Sequence, residues 1–115
     1  MQYLLLIYGN EQAMQSATQA EIGQMVAAYG AYTESLKKAG ILAGSNRLKP
    51  TNAASTVRVT NGKTQVLDGP YAETKEQLAG YYMLDVPDLD AALSWAARCP
   101  GAAHGGIEVR PVWQM

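Results

Sequence analysis

Asp68 is the carboxylate whose setting best suits proton transfer. It opens the stretch 68-DGPYAETKEQLAGYY-82, where Gly69 permits an unusual backbone angle and Pro70 fixes the next one. A carboxylate held at such a corner beside a sheet cleft can accept a proton, its basicity tuned by burial or by a neighbouring charge. The plainer reading is that Asp68 accepts backbone hydrogen bonds and fixes the turn. His104, the one histidine, lies in 101-GAAHGG-106. It suits a proton relay near neutral pH, alone or with Asp68 of the same or the opposite subunit, or else it is an ordinary exposed loop histidine. Tyr81 and Tyr82 are adjacent, so a regular strand sends one under a helix and the other toward a cleft with its hydroxyl. Tyr71 either covers a pocket or packs. Arg58 and Arg110 are the cations placed to hold an anionic ligand, or strand residues presenting charge to solvent or a partner subunit.

Other chemistry is excluded by type and spacing. The chain has one cysteine, Cys99, so neither a disulfide framework nor a cysteine-based zinc site can be assembled. Cys99 reads as a small buried residue rather than a nucleophile. The glycines form no dinucleotide fingerprint or phosphate-binding loop, GxSxG is absent, and the scattered aspartates form no calcium loop. No cofactor is called for. Nine basic and ten acidic residues give a formal net charge of −1, which supplies no positive field for nucleic acid. The apolar opening 3-YLLLI-7 is too short for a membrane span and lacks the features of a signal peptide. The expected location is the cytoplasm.

These residues need elements to position them, and 115 residues with 48% apolar content suffice for one domain with one core. The run 2-QYLLLIY-8 predicts a central strand. After a polar segment, 9-GNEQAMQSA-17, Thr18 and Glu21 form a capping box for a helix with a stripe of Ile22, Met25, Val26, Tyr29, Tyr32 or Thr33, and Leu36. Residues 41–54 read as an extended rim with a short edge strand before Pro50. Asn61-Gly62 between 55-STVRVT-60 and 63-KTQVLD-68 predicts a hairpin with a mirror-image turn. The run 79-AGYYMLDV-86 reads as a strand, Asp88 as the cap of a helix packing through Leu89, Ala92, Leu93 and Ala96, and 107-IEVRPVWQM-115 as a terminal strand. The charged run 73-ETKEQ-77 is a solvated turn or a lid. The order β, α, rim, hairpin, β, α, β fits an antiparallel sheet with two helices on one face. Too many strand residues are apolar for the other face to stand open, so a dimer through the sheet face or a covered ligand cavity is expected.

The same stretch 68-DGPYAETKEQLAGYY-82, together with 3-YLLLIYGNE-11, 56-TVRVTNGKTQVLDGP-70, 79-AGYYMLDVPDLDAALSWAARCPGA-102 and 107-IEVRPV-112, resembles the YCII-related family over nearly the full chain. The likeness is to the branch named for Asp-Gly-Pro-Phe, with Tyr71 in place of the phenylalanine. The resemblance implies a ferredoxin-like α+β domain that pairs sheets with a second subunit in a dimeric α/β barrel. Structurally similar dimers include small ring-compound isomerases and monooxygenases, and some family members occur beside sigma factors. A histidine and aspartate pair has been proposed for some members of the wider group; the only histidine here is His104. The function expected is that of a homodimer binding a polar or aromatic small molecule. In its enzymatic form it is a cofactor-independent isomerase or lyase in which Asp68 takes a proton, His104 returns one, and a tyrosine or arginine steadies oxygen charge. The alternative is a non-enzymatic accessory or interaction domain linked to a sigma-factor system.

Overall fold

The computed structural model describes residues 1–114, and it forms six strands and three helices. Strand β1 (Gln2–Gly9) is followed by α1 (Glu11–Gln15), α2 (Gln19–Lys38), β2 (Leu42–Arg47), the hairpin β3 (Ser55–Thr60) and β4 (Lys63–Asp68), β5 (Gln77–Asp85), α3 (Leu89–Arg98) and β6 (Gly106–Pro111). Four strands make an antiparallel sheet in the order β2-β5-β1-β6. The expectation of an α+β chain with a central first strand holds.

Burial alternates along β1, and this follows from the two-residue period of a strand. Tyr3, Leu5 and Ile7 point into the core with Tyr82 and Leu84 of β5, and Tyr32, Leu36, Ala92 and Ala96 of α2 and α3 close over them. Both long helices therefore cover one face. Leu5, Leu36 and Leu84 are fully enclosed, each stabilising the fold by roughly 1.5–3 kcal/mol. The predicted caps are present: Thr18 and Glu21 satisfy each other's backbone N–H groups, and the Asp88 carboxylate accepts from Ala91 N–H.

Three features depart from the sequence reading. The polar segment before Thr18 contains α1, capped by the Asn10 side chain. The apolar stripes of α2 and α3 are only partly buried, because Ile22, Val26, Leu89 and Leu93 remain exposed while the smaller Ala92 and Ala96 face the sheet. The hairpin, expected within the main sheet, is a separate two-stranded sheet. Its turn is the one predicted, with Asn61 and Gly62 at φ 51° and 75°, the left-handed pair that matches strand twist. Every residue from Val57 to Asp68 is exposed. The radius of gyration, 16.0 Å, exceeds the roughly 13 Å of a compact chain near this length, and the hairpin accounts for the difference by projecting.

Candidate functional site

The uncovered face of the sheet is built by the residues that alternate with the core. Leu4 and Leu6 of β1 stand opposite Met83 and Tyr81 of β5 on one side, and opposite Arg110 and Glu108 of β6 on the other. The neighbouring β6 residues Ile107 and Val109 pack against the core, which turns Glu108 and Arg110 outward. At the opposite edge Asn46 of β2 donates its amide N–H to the Tyr81 hydroxyl at 2.8 Å. Glu108 and Arg110 form an ion pair at 2.5 Å, and the arginine side chain is 69% exposed. The face thus has an apolar centre framed by a phenol and amide at one side and an ion pair at the other. Such a surface suits a flat molecule with a polar or anionic edge.

Tyr81 and Tyr82 part as alternation requires. Tyr82 is buried on the helix side, its ring edge-on to Tyr32 with centroids 5.3 Å apart, and its hydroxyl shares a 2.7 Å hydrogen bond with Thr33. Tyr32 donates to the Trp95 carbonyl at 2.7 Å. Burial pushes the pKa values of Tyr29, Tyr32 and Tyr82 up, and it does the same to the Cys99 thiol, whose Sγ lies 4.0 Å from the Tyr29 hydroxyl. A thiol held protonated inside the core is a packing group, as its sequence setting suggests.

Asp68 lies at the end of β4 opposite Ser55, on the hairpin face that carries Val57, Val59 and Val66. The corner beside it is secured by other groups. Gly69, at φ 112°, donates its N–H to Ala54 at 2.7 Å, and the Thr56 hydroxyl donates to the Gly69 carbonyl at 2.9 Å. Pro70 follows, and the Tyr71 ring sits under the Arg58 guanidinium at 4.8 Å on the other face of the hairpin, a cation–π contact. Among the described residues no hydrogen bond or ion pair engages the Asp68 carboxylate, which is exposed. His104 ends the turn after α3 and is exposed as well. Its neighbour Gly105 lies flush against the Tyr8 carbonyl and the Glu76 carboxylate. Within one chain, then, the structure brings Tyr81 and Arg110 to one face, and no bond joins Asp68 to His104.

A second grouping was not visible in sequence. A polar cleft of about 310 Å³ is lined by Asn10, Glu11, Gln12, Thr74, Lys75 and Gln77. Glu11 accepts from both the N–H and the hydroxyl of Thr51 at 2.7 Å, while its own N–H donates to Gln77 Oε1 at 3.0 Å. These bonds tie the rim to the ends of β1 and β5 and explain the acid as an anchor. The signal was a lone glutamate after Asn10, and its partner lies 40 residues away.

No group of three or more histidine, cysteine, aspartate or glutamate side chains among the described residues is arranged to hold a metal, and no helix there is long and apolar enough to cross a membrane.

Comparison with known proteins agrees with this geometry at the level of family. An uncharacterized protein of Rhizobium meliloti (strain 1021) is 40% identical over 114 residues, covering 97% of this chain and 92% of the relative. The model of the YCII-related domain matches residues 1–115, and the chain belongs to that family.

Proposed function

We propose that this protein is a homodimer, joined through the uncovered sheet face, that binds a polar or aromatic small molecule there. The observation that carries the reading is the face itself: Leu4, Leu6, Met83 and Tyr81 are only half-buried, no helix lies over them, and Tyr81 with Asn46 and Glu108 with Arg110 frame them. A monomer would leave this apolar area in water, whereas two ferredoxin-like subunits laid sheet to sheet would enclose it as a barrel with polar groups at its margin. The 68-DGPY-71 corner supports placing the chain in the Asp-Gly-Pro-Phe branch of its family. The single, buried Cys99, which needs no disulfide partner, supports a cytoplasmic location.

Where the ligand is also a substrate, the reaction is cofactor-independent proton transfer of the isomerase or lyase kind. In that reading Asp68, supplied to the face by the second subunit, takes a proton from carbon, His104 returns one to the product, and Arg110 or the Tyr81 hydroxyl holds the oxygen on which charge develops. A non-enzymatic interaction domain is the competing reading, and the exposed valines of the hairpin favour it.

Benzoate, a flat anion, separates the two. Titration of methyl-labelled protein to about 10 mM, a range suited to weak fragments, should shift the Leu4, Leu6 and Met83 methyls, and Arg110→Ala should weaken the effect several-fold. Shifts confined to other regions, or none for benzoate and its hydroxylated analogues, would remove the sheet-face site and leave the interaction reading.

A further inference from the structure

Resting on the dimeric reading above, we infer that the β3–β4 hairpin is an arm that reaches beside the paired sheets to the margin of the sheet face of a second copy of this chain, so that Asp68 of one copy enters the site framed by Tyr81 and Arg110 of the other.

Alternation divides the hairpin into two unlike faces. One presents Arg58, Lys63, Gln65 and Leu67, with Arg58 over Tyr71. The other presents Val57, Val59 and Val66, bounded by Thr64 toward the tip and by Ser55 and Asp68 at the base. The three valines are 60%, 65% and 63% exposed. A two-stranded hairpin with no third strand and no helix against it is marginal in water, and β-branched side chains belong on a packed pleated surface. This hairpin has the composition of a covered sheet.

Its own subunit does not cover it. The molecule measures 48 × 44 × 19 Å, and the thin dimension is that of one sheet with one helix layer. The hairpin spreads sideways from those two layers and does not fold back over the open face. The base of the arm is held by the Gly69 bond to Ala54 and the Thr56 bond to Gly69, and the rim before it is held by Glu11.

The size of the surface suits a second copy. Six-residue strands are about 20 Å long and two of them about 10 Å wide, giving a flat footprint of roughly 200 Å². In a two-fold dimer each copy lays one arm and receives one. With pleat and side-chain relief about doubling accessible area, each copy buries roughly 800 Å², the amount typical of a stable interface. The receiving face matches in kind, three apolar side chains, Leu4, Leu6 and Met83, beside an exposed cation, Arg110. An arm whose valines pack at the edge of that centre carries Asp68, on the same face, to its margin. The carboxylate that finds no partner in its own chain then meets, in the other, an arginine it would share with Glu108 and a phenol that accepts from Asn46 and keeps its own proton to donate.

Two measurements test this. Sedimentation of the full chain from 1 to 100 µM, with and without the triple change Val57→Thr, Val59→Thr and Val66→Thr, reads the contribution of the arm. Threonine keeps the strand preference and shape, and the dimer should weaken at least about 30-fold, as desolvated interface centres do. In the second, a nitroxide is attached at Thr64→Cys, the buried Cys99 being out of reach of the reagent, and this chain is mixed with unlabelled-thiol chains carrying isotopic methyl groups. Broadening of the Leu4, Leu6 and Met83 methyls of the isotopic copy is expected. A wild type that stays monomeric at 100 µM would overturn the dimer beneath the inference. A wild-type dimer unaffected by the threonines, or broadening absent from these methyls, would overturn the arm alone.

Discussion

Removing one oxygen atom, in Tyr32→Phe, tests how the core holds its polar groups. The ring is 5% exposed and packs edge-on against Tyr82, so phenylalanine fills the same space. What is lost is the 2.7 Å bond to the Trp95 carbonyl. That carbonyl lies in the last turn of α3, where helix carbonyls lack intrahelical partners, and the Cys99 N–H that would reach it bonds to Ala96 instead. An abandoned, partly buried carbonyl costs about 1–3 kcal/mol. The expected loss near pH 7 is about 1.5 kcal/mol, or roughly 6–9 °C in melting temperature for a chain of this size.

The same substitution should behave differently in alkali. Burial raises the Tyr32 pKa in the folded chain above its ordinary 10.0, so the phenol's contribution is complete below pH 10 and is lost as pH rises from there toward the folded value. At pH 11 the unfolded chain has released this proton and the folded chain has kept it, which costs the wild type up to about 1.4 kcal/mol. Phenylalanine has no proton to lose. The deficit of the variant should therefore shrink to less than half at pH 11, with the contributions of Tyr29, Tyr82 and Cys99 common to both proteins. Urea unfolding at pH 7, 9 and 11 measures it. A deficit that stays constant across this range would refute the assignment of a protonated, hydrogen-bonded phenol.

Glu11→Ala removes both acceptors of Thr51 and should cost about 2–3 kcal/mol, since hydrogen bonds to charged groups are worth more than neutral ones; faster amide exchange should appear at Thr51 in deuterium-exchange experiments. Gly105→Ala would place a methyl group 2.0 Å from the Tyr8 carbonyl oxygen; β6 must then separate from β1, with a loss of about 3 kcal/mol or more that thermal denaturation will read.

What the sequence disclosed was local. Thr18 and Glu21 are three residues apart, Asn61 and Gly62 adjacent, and Asp88 directly precedes its helix, so chemistry within one turn located each element. Alternation alone separated Tyr81 from Tyr82. In the helix stripes periodicity does not equal burial: Leu93 recurs at the right spacing, yet the close approach of α3 to the sheet is made by Ala92 and Ala96, and the leucine is left 46% exposed. Helix α1 leaves no mark in the sequence, because five residues without a buried side chain have no period to read. The separation of the hairpin from the main sheet depends on which strands pair at long range, and nothing within 55–68 encodes that. Glu108 and Arg110 were legible as neighbours two apart on a strand, whereas Glu11 needed a threonine 40 residues away.

The strand order also governs how the chain reaches this structure. β1 precedes by most of the described chain the two strands that flank it, β5 and β6: Gln2 pairs with Asp85, and Tyr3 with Pro111. During synthesis the apolar run 3-YLLLI-7 leaves the ribosome with neither neighbour in existence, and loop closure over more than half the chain must precede any pairing. Such non-local topology folds in milliseconds to seconds, and through that interval an unpaired hydrophobic strand is open to other chains. Truncation before β6 would leave β1 with a permanently bare edge, and its products should aggregate rather than accumulate as a smaller native domain.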